Sequence, residues 1–113
     1  MKWIPLKLDA QLGELKSNKG YSLLFKHSTR CSISAMAKRN FELSWDELPA
    51  NIPSYFLDLL NFRSISSQVA ENFGIAHQSP QLLLIKDGDC ILEQSHSYIS
   101  VDEVNEVIAK DKA

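Results

Sequence analysis

Apolar residues along the chain change spacing several times, and each change marks an element. Trp3-Ile4-Pro5-Leu6 reads as a short strand, confined to a sheet edge because Pro5 has no N–H to give a neighbour. Asp9 is placed to cap a first helix with Leu12 and Leu15 on one face, and Asn18-Lys19-Gly20 ends it. Tyr21-Ser22-Leu23-Leu24-Phe25-Lys26-His27 has a nearly continuous apolar centre, which predicts an interior strand covered on both faces. After a turn through Ser28-Thr29-Arg30, Ile33, Ala37, Phe41 and Trp45 recur every four residues with Met36 beside them. That spacing predicts a helix from about Cys31 with these side chains in one buried stripe.

Pro49 and Pro53 bracket a loop, residues 54–60 read as a second buried strand, and residues 64–73 as a helix. Ile65, Val69 and Phe73 face inward there, and Gly74 stands at the C-terminal cap. Two strands with a helix between them form a parallel βαβ unit. The last third changes character. Residues 81–86 and 91–94 are separated only by Asp87-Gly88-Asp89-Cys90, which predicts an antiparallel hairpin. Ser100-Val101-Asp102-Glu103 then forms a capping box, with Ile99 and Val104 as the apolar staple and Val107 and Ile108 inward on a final helix. The order β-α-β-α-β-α-β-β-α predicts an α/β thioredoxin-like fold: a central mixed sheet flanked by helices, with a C-terminal β-hairpin plus helix.

The chain has 113 residues, 44% of them hydrophobic, enough for one core, so a single domain over residues 1–113 is expected. Twelve basic and fourteen acidic residues give a net charge of −2 with no block of either sign, so neither nucleic acid nor a membrane surface is an expected partner. The start, Met1-Lys2-Trp3-Ile4-Pro5, lacks an apolar signal core, which predicts a cytoplasmic location. Two cysteines, Cys31 and Cys90, are too few for a disulfide framework and fit a reducing compartment.

Cys31 is the candidate nucleophile. A sulfur at a helix N-terminus meets unpaired backbone N–H groups and the positive end of the helix dipole, which favour the thiolate. Arg30, His27, Lys26 and Lys38 add positive or polarisable neighbours in sequence. An unpaired cysteine is usually a small buried hydrophobe. Here Ser28-Thr29-Arg30 is polar and the stripe begins only at Ile33, so Cys31 should face outward. Cys90 opens a hairpin strand among apolar neighbours and is expected to be an inert structural thiol. Ser34 stands where a Cys-x-x-Cys pair would have its second sulfur, so release of a mixed disulfide requires an outside thiol. Its hydroxyl has two candidate uses, a hydrogen bond to the Cys31 thiolate or one to the backbone of its own helix. Ser79-Pro80 heads the third long strand, a permitted place for proline. By pattern alone its peptide bond is trans. The fold expectation makes it cis and turns it toward the reactive cysteine, with His77 and Gln78 lining the same groove.

Lys26-His27-Ser28-Thr29-Arg30-Cys31-Ser32-Ile33-Ser34, with Ala37 and Phe41, resembles the active-site strand and helix of the monothiol bacilliredoxins of the YtxJ type. A second block, Arg63-Ser64-Ile65-Ser66, Val69-Ala70-Glu71-Asn72-Phe73-Gly74-Ile75 and His77-Gln78-Ser79-Pro80-Gln81-Leu82, resembles another signature of that family. The resemblance covers essentially the whole domain. It implies a thiol–disulfide oxidoreductase that removes bacillithiol from mixed disulfides on cytosolic proteins. Cys31 would attack, and a small thiol or second redoxin would regenerate it. No cofactor would be tightly bound, bacillithiol entering as co-substrate, and S-bacillithiolated proteins would be the partners. His27, Thr29, Arg30, Ser32 and Ser34 would support the site, and Ser79, Pro80, His77 and Arg63 would meet substrate. Arg63 would attract a bacillithiol carboxylate or, alternatively, form a surface salt bridge. Ser32 departs from the proline commonly found after the reactive cysteine, and leaves one more N–H near the sulfur.

Two rival readings come from other classes. A monothiol-glutaredoxin-like protein would bind an iron–sulfur cluster, but the Cys-Gly-Phe-Ser motif is absent, and Cys31, His27 and His77 make only a scattered zinc set. A non-catalytic module would hold extended peptides beside the proline. A phosphatase loop is excluded, because Ala37 occupies the position its arginine would need.

Overall fold

A computed structural model describes residues 3–112. The elements are β1 (Ile4–Pro5), α1 (Asp9–Ser17), β2 (Tyr21–His27), α2 (Ser32–Leu43), β3 (Ser54–Asp58), α3 (Arg63–Phe73), β4 (Gln81–Lys86), β5 (Asp89–Ser95) and α4 (Val101–Lys112). Short 3-10 turns at Trp45–Glu47 and His96–Tyr98 follow α2 and β5. The sheet order is β1-β3-β2-β4-β5. β1 and β2 run parallel to β3, and β4 is antiparallel to both β2 and β5. The apolar centre of β2 therefore belongs to the middle strand, buried from Ser22 to His27.

Alternation along β2 divides the interior in two. Leu24 packs with Leu12 and Leu15 of α1, Ile65 and Val69 of α3, and Leu83 and Ile85 of β4. Leu23 and Phe25 pack on the other side, with Phe41 of α2 and Val101, Val104 and Ile108 of α4. This sidedness decides what each polar residue near the end of β2 can meet.

Several local expectations change. Ile33 and Met36 are 59% and 65% exposed, not part of the buried stripe. A row at every fourth residue winds round a helix by about 40° per step, so Ile33 lies about 80° from Phe41. Ser34, seven residues before Phe41, returns to within about 20° of it and takes the inward place. Asp9 is the first residue of α1 rather than its cap. Gln11 serves that end instead, its Oε1 accepting the amides of Lys7 (2.7 Å) and Leu8 (3.0 Å). Half of the capping box forms on α4, where the Glu103 amide donates to Ser100 Oγ at 3.3 Å. Buried Gln94 supplies the other half, accepting the Ser100 amide at 3.2 Å and donating to the Glu103 carboxylate at 3.0 Å. The hairpin turns through Asp87 and Gly88, at φ 50° and 85°. A Cβ on Gly88 would stand 2.2 Å from the Lys16 carbonyl oxygen, so glycine is required where this turn meets α1.

Candidate active site

β2 delivers the chain to the site, because its last residue, His27, runs directly into the Ser28-Thr29-Arg30 turn that leads to Cys31. The Cys31 amide donates to the Ser28 carbonyl at 3.2 Å, closing that turn. Cys31 is the N-cap residue of α2, with extended backbone (φ −109°, ψ 118°), and its carbonyl accepts the Ala35 amide at 3.1 Å. The amides of the first helical turn, from Ser32 on, have no partner within the helix and surround the cap. Cys31 is a free thiol and partly exposed. Thr29, Arg30 and Ser32, beside it in sequence, are exposed.

Ser34 takes neither of its two expected roles. It is fully buried, and its Oγ accepts the Ser28 amide at 3.1 Å and lies 2.6 Å from His27 Nδ1. The one hydroxyl therefore bridges the Ser28 amide and the His27 ring. Burial, with the Lys38 ammonium second, lowers the pKa of His27, in keeping with a neutral imidazole. Lys38 itself pairs with Glu42 at 2.9 Å and lies over the Phe56 ring. These groups line a groove of about 410 Å³ with Thr29, Ala35 and Arg39 on the α2 side of β2.

The Ser79–Pro80 peptide bond is cis. Gln81, next in sequence, pairs with Lys26 across the antiparallel β2–β4 ladder, so one step further along the ladder Pro80 stands beside His27 at the end of the sheet from which the Cys31 turn springs. Pro80 is buried, its carbonyl accepting the His96 amide at 3.0 Å. Buried Gln81 ties the loop before it, accepting the Gln78 amide (3.4 Å) and donating to the Ala76 carbonyl (3.0 Å) and the Glu93 carboxylate (2.8 Å).

Lys26 has a larger part in this region than its sequence context suggested. It is fully buried on the α3 side of β2, with Nζ 3.3 Å from the Ser66 carbonyl and 3.1 Å from His77 Nδ1. Burial pushes its pKa down to about 8. A sequence signal for this existed: in a strand covered on both faces, the row Ser22, Leu24, Lys26 has no solvent side. His77 is exposed, and lines a groove of about 520 Å³ with Arg63, Ser66 and Glu71.

His27 and His77 consequently lie on opposite sides of β2, each with Nδ1 already engaged. Among the described residues no group of three or more His, Cys, Asp or Glu side chains is placed to hold a metal ion, so the scattered zinc set is not assembled. Cys90 is half-buried against the α1/α3 core, its Sγ donating to the Leu92 carbonyl at 3.4 Å, and burial raises its thiol pKa.

A mixed five-stranded sheet with a cysteine capping the helix after the central strand is a thioredoxin fold, and the family its sequence matches makes the chain a thiol redox protein. The chain belongs to the monothiol bacilliredoxin family, whose profile, Monothiol bacilliredoxin BrxC, matches residues 4–104. Solved structures similar to it share its fold. A candidate oxidoreductase with a thioredoxin fold aligns at a TM-score of 0.81 and 24% identity, covering 93% of this chain and 92% of that one. Thioredoxin from Trypanosoma brucei brucei aligns at 0.77 and 13% identity, covering 98% and 91%. Thioredoxin Mala s 13 from Malassezia sympodialis aligns at 0.71 and 18% identity, covering 99% and 92%. No helix among the described residues is long and apolar enough to cross a membrane.

Proposed function

We propose that this protein removes bacillithiol from mixed disulfides on cytoplasmic proteins by a monothiol mechanism with Cys31 as the nucleophile. The observation that carries the reading is the position of Cys31: partly exposed, at the N-cap of α2, beside the strand end that Pro80 borders. Membership of the monothiol bacilliredoxin family supports the choice of small thiol.

In the first step the Cys31 thiolate attacks the bacillithiol sulfur. The Cys31–bacillithiol disulfide forms, the client disulfide breaks, and the client cysteine leaves as a thiolate that takes a proton from water. The amides at the start of α2 stabilise the attacking anion, and Ser32 contributes one that a proline could not. Ser34 holds no second sulfur, so the adduct waits for a small thiol or the thiol of a second redoxin. That thiol attacks the bacillithiol sulfur, returns Cys31 as thiolate, and is itself oxidised to the disulfide. Ser79 and Pro80 would border the client chain, with Thr29 and Arg30 on the other side of the sulfur.

The test is release of bacillithiol from a bacillithiolated protein, followed with the wild type, Cys31→Ala and Cys90→Ala. Cys31→Ala should abolish release and Cys90→Ala should retain it. Loss of turnover on removing Cys90 alone would refute the monothiol mechanism.

A further inference from the structure

We propose that the groove between α3 and the loop at 76–80 is a recognition subsite for a carboxylate of the substrate thiol, held by His77 Nε2–H and the Arg63 guanidinium and backed by the buried Lys26 ammonium. The inference rests on the function proposed above and names the part of the small thiol that the protein recognises.

The argument begins with an ammonium in an unusual place. Lys26 is fully buried in the middle strand, and neither it nor Arg63 pairs with a carboxylate among the described residues. Burying an unpaired charge costs stability, and a leucine would fill a strand interior at no such cost. What Lys26 does have is the Ser66 carbonyl and His77 Nδ1. An ammonium only donates, so Nδ1 must accept, and the proton of the neutral ring sits on Nε2, on the far side of the ring from Lys26. A donor whose ring is polarised from behind by a cation binds an anion more strongly than a free imidazole does. Burial, with the Lys26 charge second, lowers the pKa of His77, which favours this neutral, donating form.

The groove in front of that ring is about 520 Å³, room for a small polar ligand. Arg63 opens α3, and Ser66 and Ser67 follow one turn later on the same wall. The one acid on that wall, Glu71, lies eight residues beyond Arg63, about 12 Å along the helix. The groove thus has a basic end, formed by Arg63, Ser66 and His77 over Lys26, and an acidic end. A carboxylate belongs at the first. There it would also supply the counter-charge that Lys26 lacks.

The site is tested by titrating the protein with succinate at pH 7, with succinamide as the uncharged control, and following the His77 ring nitrogens and the Ser66 and Ser67 amides by NMR. Succinate should give saturable shifts centred on these residues, succinamide should not, and both Lys26→Met and Arg63→Gln should weaken binding at least tenfold. Arg63 is exposed, so its variant stays readable should Lys26→Met fold poorly. In parallel, Arg63→Gln should lower the kcat/KM for a bacillithiol mixed disulfide relative to that for a hydroxyethyl mixed disulfide, also about tenfold. Equal shifts from succinate and succinamide, or wild-type succinate affinity in Arg63→Gln, would overturn the subsite. Failure of the wild type to reduce either disulfide would instead refute the proposed function, and the succinate titration would still decide the subsite.

Discussion

Ser34 Oγ lies 2.6 Å from His27 Nδ1 while it receives the Ser28 amide at 3.1 Å, so one buried hydroxyl ties the first turn of α2 to the end of β2. The position of Cys31 depends on that tie, because the sulfur sits on the short connection between the two elements. The serine of the Cys-x-x-Ser pattern thus holds the turn.

Among the described residues, Ser34→Ala removes the side-chain partner of a buried imidazole nitrogen and the acceptor of the Ser28 amide. The variant should lose about 1–3 kcal/mol of stability, the cost of orphaning buried polar groups. Urea unfolding monitored by Trp fluorescence measures it. A loss below about 0.5 kcal/mol, the scatter of ordinary surface changes, would mean that the tie carries no weight.

The Lys26 pKa, lowered to about 8, ties stability to pH on the alkaline side. Between about 8 and the ordinary lysine value the unfolded chain holds a proton that the folded chain has released, so stability rises with pH through that window. Below it the full penalty for a buried charge applies, on the order of 3 kcal/mol. Lys26→Met should therefore match or exceed the wild type in stability at pH 7, and the difference between the two should shrink by pH 10. A variant that is several kcal/mol less stable than wild type at pH 7 would contradict this.

His27 and His77 act in the same sense at acid pH, since both have lowered pKa values. As the pH falls below the ordinary histidine value the unfolded chain takes up protons before the folded chain does, and stability declines. Replacing His27 by Gln should flatten that decline. Denaturant midpoints measured from pH 7.5 to 5 would show it, and an unchanged slope would exclude His27 as a contributor.

Gly88→Ala puts a methyl group into the Lys16 carbonyl at a residue with φ 85°. Both effects destabilise, so the variant should lose at least about 1 kcal/mol. Thermal melting checks this, and an unchanged Tm would show that the hairpin turn moves freely away from α1.

Much of the fold was legible because each element carried its own signal. The unbroken apolar centre of β2 marked the middle strand, Asp87-Gly88 marked the hairpin, and Ser100 with Glu103 marked α4. The position of Cys31 followed from the same reading, since a polar turn before a helical stripe puts the intervening residue at the cap. The stripe itself was misplaced at its start, because every-fourth spacing alone put Ile33 inward where the geometry of a straight helix prefers Ser34. Ser34 and Lys26 were harder to read for a shared reason. Their partners, His27 and His77, come from other elements, and only the sidedness of β2 determines which histidine meets which group. A polar residue inside a two-sided strand was the available sign, and Lys26 carried it.

The most direct test is to expose the reduced protein to the disulfide of bacillithiol and determine intact masses for wild type, Cys31→Ala and Cys90→Ala. One bacillithiol adduct should form on wild type and Cys90→Ala, peptide mapping should place it on Cys31, and Cys31→Ala should stay unmodified. An adduct on Cys90, or one that survives the loss of Cys31, would contradict Cys31 as the nucleophile.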